Sequence, residues 1–254
     1  IGHAQVEVMY ALNATDIKDK NTYIDLHVLR AGKDISKHYS RFVELNDSLS
    51  DDFNKRNPNA QSRPRVFCSD GRNSTYWSEY QFTDIFTENG QHTLYAWMPS
   101  YMERYNAYYT EPAHSQKWTL HEEHNTILEH DCQRATCHWR GRDFVAWFAT
   151  DIPVKAGPWK FGGLPGLILK VEDTKGMYRF EAVQLSSKPT PIMKYDFKAY
   201  SASTREKVWK WQKQFNENWW KASDYHKASI DGAGHVVIGE AVSIHTPYEP
   251  LELE

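Results

Sequence analysis

Short stretches rich in β-branched and aromatic side chains recur along most of this chain, parted by polar turns. VEVMYAL (6–12), TYIDLHVL (22–29), STYWSEYQF, HTLYAWM, NAYYT, WTLHEEHNTI, CQRATCHW and DFVAWFATDI all have this character, which is that of strands bounded by turns. Their spacing of roughly 10–15 residues is too short for the crossovers that parallel strands require, so the sheet they form is antiparallel. LILKVED and MYRFEAVQL continue it as a hairpin across Thr174-Lys175-Gly176. An aromatic content of 14%, with 10 Trp and 15 Tyr, suits such a sheet or an aromatic-lined binding surface.

Two segments break the pattern. DSLSDDFNKRNPNAQSRP (47–64) reads as a short helix and an exposed loop. Between 203 and 222 the spacing predicts one amphipathic helix, with Ser203 and Glu206 as a capping box and Val208, Trp211, Phe215 and Trp219 on one face. Its other face alternates Lys with Glu, Asn and Gln, which favours packing on the sheet over lying on a membrane. The fold class is therefore α+β and mostly antiparallel β: a curved sheet or half-barrel with one C-terminal amphipathic helix packed on it. A single domain is expected over 5–254, with its core in 5–222 and a turn-rich, peripheral segment at 223–254.

The formal charge of −3 leaves no electrostatic footprint for nucleic acid. No window approaches the ~18 apolar residues that cross a bilayer as a helix. Gly2-His3-Ala4 places small residues at −3 and −1 of a signal-peptidase site, which makes residues 1–4 a signal remnant and Gln5 the first mature residue. An arbitrary start fits the same residues. Cys68, Cys132 and Cys137 allow at most one intrachain disulfide.

Catalytic signatures are weak. HEEHNTILEHDCQRATCH carries His121, His124, His130 and His138, but zincins need HExxH on a helix, and here Asn125 stands where the second imidazole belongs. No metal or other cofactor is expected; metal binding through the His121–His138 region is the alternative. There is no GxSxG elbow, and in Cys137-His138 the adjacent side chains diverge. No catalytic residue is assigned, and a hydrolase is the third reading.

GPWKFGGLPGLILKVED (157–173) lacks the GxxxxGK[ST] and GxGxxG frames of phosphate loops and leads into a strand. Its glycines reach backbone angles denied to other residues, and Pro158 and Pro165 stiffen the path. In the preceding strand Phe144, Ala146 and Phe148 face one way, and Val145, Trp147 and Ala149 the other. Two apolar faces suggest a strand that is covered on one side and lines a cavity on the other. The candidate ligand-binding residues are Trp147, Trp159 and Phe161 as an apolar mouth, Gly163 and Pro165 as its frame, and Arg140 and Arg142 as a clamp for a carboxylate or phosphate. The competing reading is core packing for the aromatics and cross-strand pairing for the arginines.

GGLPGLIL at 162–169, with CQRA and HWRGRDFVAWFATDIPVKAGPWKF before it, resembles the GLPGLI family of Bacteroidetes. LRAGKDISKHYSRFVELNDSL and the closing PYEPLELE are similar to further segments of that family. The chain departs from it at His130-Asp131, where a Gly-Tyr pair is usual, and in the extra Cys137. The resemblance implies export to the periplasm or outer membrane and genes beside TonB-dependent outer-membrane receptors, with no settled activity. The expectation is an exported accessory or binding protein without catalysis, holding an apolar ligand or peptide or assisting an outer-membrane receptor. By analogy, half-barrels such as the LolA-like carriers hold lipid chains.

Overall fold

The structure, a computed structural model, describes residues 2–60, 82–98, 102–194, 199–222 and 226–254. Cys68 and all of STYWSEYQF except Phe82 lie outside the described residues. Strands β1 (Gly2–Ala4), β2 (Val6–Leu12), β3 (Asp25–Ala31) and β4 (Ile35–Ser40) run into helix α1 (Arg41–Arg56). There follow β5 (Thr83–Glu88), β6 (Gln91–Ala96), β7 (Ala107–Pro112), β8 (Thr119–Ile127), β9 (His130–Trp139) and β10 (Arg142–Ala149). Next come β11 (Leu167–Asp173), β12 (Arg179–Ser186), β13 (Thr190–Ile192) and β14 (Ser201–Ala202). The chain then enters α2 (Arg205–Glu217), α3 (Trp219–Ala222) and a hairpin of β15 (His226–Ile230) and β16 (Val236–Ala241).

Among the described residues twelve strands form one curved, unclosed sheet in the order β14-β7-β6-β5-β4-β3-β2-β12-β11-β10-β9-β8. Every pairing in it is antiparallel except the two-residue parallel contact of β14 with β7. Two-residue turns set the registers. Asn89-Gly90 joins β5 to β6 and Arg140-Gly141 joins β9 to β10, all four with positive φ, as the twist of a tight hairpin requires. Period-2 alternation then sorts the side chains: Val6, Val8, Tyr10 and Leu12 of β2 are buried, with Glu7 and Met9 half-buried between them. One face of the sheet carries the main core, including Leu29, Ile85, Leu94, Phe144, Phe148 and Phe180. A smaller cluster of Ala11, Leu26 and Phe42 holds α1 against the other face.

The helices depart from expectation at their ends. α1 begins at Arg41 because Ser40 Oγ accepts from the Val43 amide at 3.2 Å, an N-cap hidden where strand and helix are continuous. β3 begins at Asp25, since Lys20–Thr22 form a 3₁₀ turn capped by Asp19. α2 is capped by Thr204 rather than Ser203 and stops at Asn218, so 203–222 is two helices. Val208 and Phe215 are buried, while Trp211 is half-buried with its ring 5.1 Å from Tyr105. The 226–241 hairpin is exposed along both strands. The segment after it is not peripheral, because Leu251 and Glu252 are 1% and 6% exposed.

In urea denaturation, Phe215→Ala is expected to lose about 3–5 kcal/mol, the usual cost of truncating a buried large aromatic. Trp211→Ala is expected to lose less, about 1–2 kcal/mol. Equal losses would contradict the placement of these two rings.

Candidate functional site

The loop between β10 and β11 lies over one end of the core, and two glycines fix its path. A β-carbon on Gly166 would sit 2.1 Å from the Ala149 carbonyl oxygen, a contact no side chain tolerates. Gly163 has φ +82 while its amide donates to Lys155 O at 3.1 Å. Gln116 Nε2 and Trp118 Nε1 donate to the carbonyls of Lys160 and Gly162 and anchor the loop from outside. Trp159 itself has φ +53, a left-handed conformation that costs a bulky residue roughly 1–2 kcal/mol. That backbone turns two neighbouring side chains inward. Trp159 is 7% exposed and Lys160 only 1%.

Lys160 is the centre of the site. Its Nζ lies 2.7 Å from Glu252 Oε1, 2.8 Å from Glu111 Oε1 and 3.1 Å from the Tyr109 hydroxyl. Arg205, from the first turn of α2, reaches Glu252 Oε2 at 2.8 Å and Glu111 Oε2 at 3.7 Å. Arg140, aimed by its turn, reaches Glu111 at 3.1 Å and Glu252 at 3.8 Å. Three cations thus face two carboxylates. Burial alone would push the Glu252 carboxyl up, but Lys160 and Arg205 outweigh it and hold it at about 2. Burial likewise pulls Lys160 down, and Glu252, Tyr109 and Glu111 reverse that and keep it raised. The ammonium is therefore a permanent charge.

Glu252 belongs to an irregular strap, residues 248–254, that bends at Leu251 and lies across this end of the sheet. Arg142 Nη2 donates to Pro250 O at 2.7 Å and Nε to Leu251 O at 3.0 Å. Its Nη1 is paired with Asp173 at 3.1 Å. Tyr178 OH donates to Glu249 O, Trp209 Nε1 to Glu252 O, and Trp159 Nε1 to Glu252 Oε1. The Leu253 amide donates to Arg140 O at 2.8 Å, and the Leu251 side chain enters the core. Beside the strap is a cleft of about 20 Å³, lined by Trp159, Lys160, Arg205, Trp209 and Tyr248 among others. That is room for roughly one water.

Beneath Trp159 lies a second buried polar group. The rings of His27 and His38 stack 4.9 Å apart at 9°, and His38 meets Trp159 edge-on at 6.3 Å. His27 Nε2 is 3.2 Å from Asp25 Oδ2, and among the described residues neither nitrogen of His38 has a hydrogen-bond partner. Burial, and then the neighbouring His27, push His38 well below the usual imidazole value. Burial, His114 and Lys160 push His92, on β6, down to about 3.

The expected clamp and mouth are not assembled as drawn. Arg140 sits in the turn and Arg142 is buried on β10; both meet the strap, Arg140 at the Glu252 carboxylate and Arg142 at the Pro250 and Leu251 carbonyls and the Glu249 carboxylate, so they do not close on one group. Trp147 stands half-buried, opposite Arg134 on β9 and Lys170 on β11, and packs against the main core. Phe161 is core, edge-on to Phe144 at 4.8 Å. Gly163 and Pro165 are exposed on the loop's outer side. Trp159 is at the site, although as a donor to Glu252 rather than the wall of an open mouth. Lys160, Glu111, Arg205 and Glu252 were missed. The available signal was a lone lysine inside the apolar run GPWKFGGLPG.

The histidines of the HEEH region take separate partners. His121 meets Thr136, His124 Asp131, His130 Asp151 and His138 Asp143. Among the described residues no three His, Cys, Asp or Glu side chains converge as metal ligands. Cys132 and Cys137 are buried free thiols, pushed up by burial to about 11 and about 12, where thiolate chemistry is suppressed. No helix among the described residues is long and apolar enough to cross a membrane.

The model of a family described as "Protein of unknown function (Porph_ging)" matches residues 101–170. That span carries Glu111, Arg140, Arg142, Trp159 and Lys160. No curated protein matches the sequence. Among solved structures, PNGF-II in a C2 crystal form is similar at TM-score 0.51 and 14% identity over 83% of this chain and 33% of the other. PNGF-II in a P21 form gives 0.50 and 14% over 83% and 34%. The chain spans about a third of the length of PNGF-II, and the likeness is one of fold.

The buried groups define a pH response. His92 and His38 bind a proton less readily folded than unfolded, so their neutral contribution to stability is present above the ordinary value of 6.5 and is lost as pH falls below it. Glu252 contributes above its ordinary 4.5 and loses that on the way down to about 2. The urea midpoint is therefore expected to fall from pH 6.5 toward 3 and, in Glu252→Gln, to lose its steepening below 4.5. A flat profile would contradict the burial of these groups. Gly166→Ala is expected to destabilise more than Gly163→Ala, for which roughly 1–2 kcal/mol of backbone strain applies; thermal melting of both variants checks the order.

Proposed function

We propose that this is an exported accessory or binding protein of the GLPGLI type, without catalysis, whose site holds a peptide segment. The observation that carries this reading is the Lys160 site closed around a stretch of chain that belongs to no strand or helix. Backbone carbonyls, two carboxylates and one apolar side chain of that stretch are each met by a dedicated group. A site of this design reads peptide features. The cleft beside it is far too small for an acyl chain, which favours a peptide over the lipid of the carrier analogy. Support for the GLPGLI assignment comes from the signature loop itself, which supplies Trp159 and Lys160, and from the matched span 101–170. Export and the envelope location rest on the resemblance and on Gly2-His3-Ala4; a TonB-dependent receptor is the partner it suggests.

Native mass spectrometry of protein isolated from its own envelope after mild cross-linking tests the reading. A retained peptide or protein segment, absent from a folded Lys160→Met variant, is expected. One metal per chain, lost in His121→Ala or His124→Ala, would contradict it and favour the metal-binding alternative.

A further inference from the structure

We infer that the strap at 248–254 is a resident stand-in for a partner segment, and that the Lys160 site recognises an acidic peptide in which an apolar residue precedes a glutamate. This rests on the binding reading above and names its ligand class.

The contacts define the preference. Leu251 fills the core pocket and Glu252 enters the charged one, so adjacent residues supply an apolar and a carboxylate anchor. Arg142, Tyr178 and Trp209 take three successive features of backbone, the carbonyls of Glu249, Pro250–Leu251 and Glu252, which any side chains would offer. Selection therefore falls on Leu251 and Glu252, with the Glu249 carboxylate, 2.8 Å from Arg142 Nη2, as a further acidic contact. The charge balance points the same way. Three cations meet two carboxylates, Glu111 and Glu252, and only Glu111 is built into the sheet. Without the strap's carboxylate the site would hold Lys160, Arg205 and Arg140 against one acid, an arrangement complementary to an acidic ligand.

The strap is also mounted so that it can leave. From His226 to Pro247 the described chain is exposed except at the half-buried Val242, and among the described residues the β15–β16 hairpin pairs only with itself. Strap and body are thus joined by an exposed tether. It is fastened to the end of α2, where the Thr246 amide donates to Glu217 O at 2.7 Å and Asn218 meets Ser243 and Ile244. A tethered occupant competes with a free one through its effective concentration, commonly millimolar. A partner segment of matching chemistry, at high local concentration, would displace it.

Fluorescence anisotropy with a labelled peptide of residues 246–254 tests this on the full chain. Leu251→Asp, which weakens the resident strap and is checked for folding by near-ultraviolet circular dichroism, is expected to bind the peptide at least about tenfold more tightly than the wild type. Adding Lys160→Met, or using a peptide carrying Glu252→Gln, is expected to cost about tenfold or more. If Leu251→Asp does not fold, Glu249→Ala, which removes only a partly exposed pair with Arg142, takes its place with the same expected direction. Equal binding by a folded strap-weakened variant and the wild type would overturn the inference. So would indifference to the Glu252→Gln peptide. If the labelled peptide fails while a Lys160-dependent species is still retained from the envelope, this inference falls and the binding reading stands.

Discussion

The ammonium of Lys160 is a full charge on a side chain only 1% exposed, and most of this end of the molecule can be read as the consequence. An unpaired buried charge costs several kcal/mol, so the fold must deliver acids to it from elsewhere. Glu111 comes from β7 and Glu252 from the strap, each within 2.8 Å. Those acids in turn need cations. Arg205 arrives with the first turn of α2, which fixes where that helix crosses the sheet, and Arg140 arrives from the turn between β9 and β10. Loop, helix, hairpin and strap are tied together by one electrostatic requirement.

The same requirement accounts for the local strain. Trp159 stands in left-handed backbone, which an indole would not choose. From there its Nε1 reaches Glu252 while its ring closes over His38, and the next residue points its amine into the cluster. The close approaches of the following glycines let the loop return to β11 within a few residues. The signature of the loop is thus less a greasy lid than a means of burying a lysine beside a tryptophan. Both side chains grip a segment far away in sequence.

The strands were legible where alternation was clean. VEVMYAL is a strand residue for residue, and HTLYAWM, NAYYT and DFVAWFATDI lie on β6, β7 and β10 because period-2 burial is written locally. The apolar stripe of α2 was legible for the same reason, but the break at Asn218 was not. Parity misled at the arginines. Arg140 and Arg142 share it on paper, yet the Arg140-Gly141 turn ends one strand and begins another, which sends them to different partners. Long-range pairing lay beyond local pattern altogether: nothing near Lys160 in sequence announces Glu252, and the placement of β2 beside β12 is set by tertiary packing. The export and partner expectations stand on resemblance.

The claim that the Lys160–Glu252 contact holds the strap is tested most directly by a double-mutant cycle of Lys160→Met and Glu252→Gln, read by urea denaturation at neutral pH. A coupling energy of at least about 1.5 kcal/mol is predicted, in the range measured for close, desolvated charge pairs. Additivity of the two variants within about 0.5 kcal/mol would contradict the account.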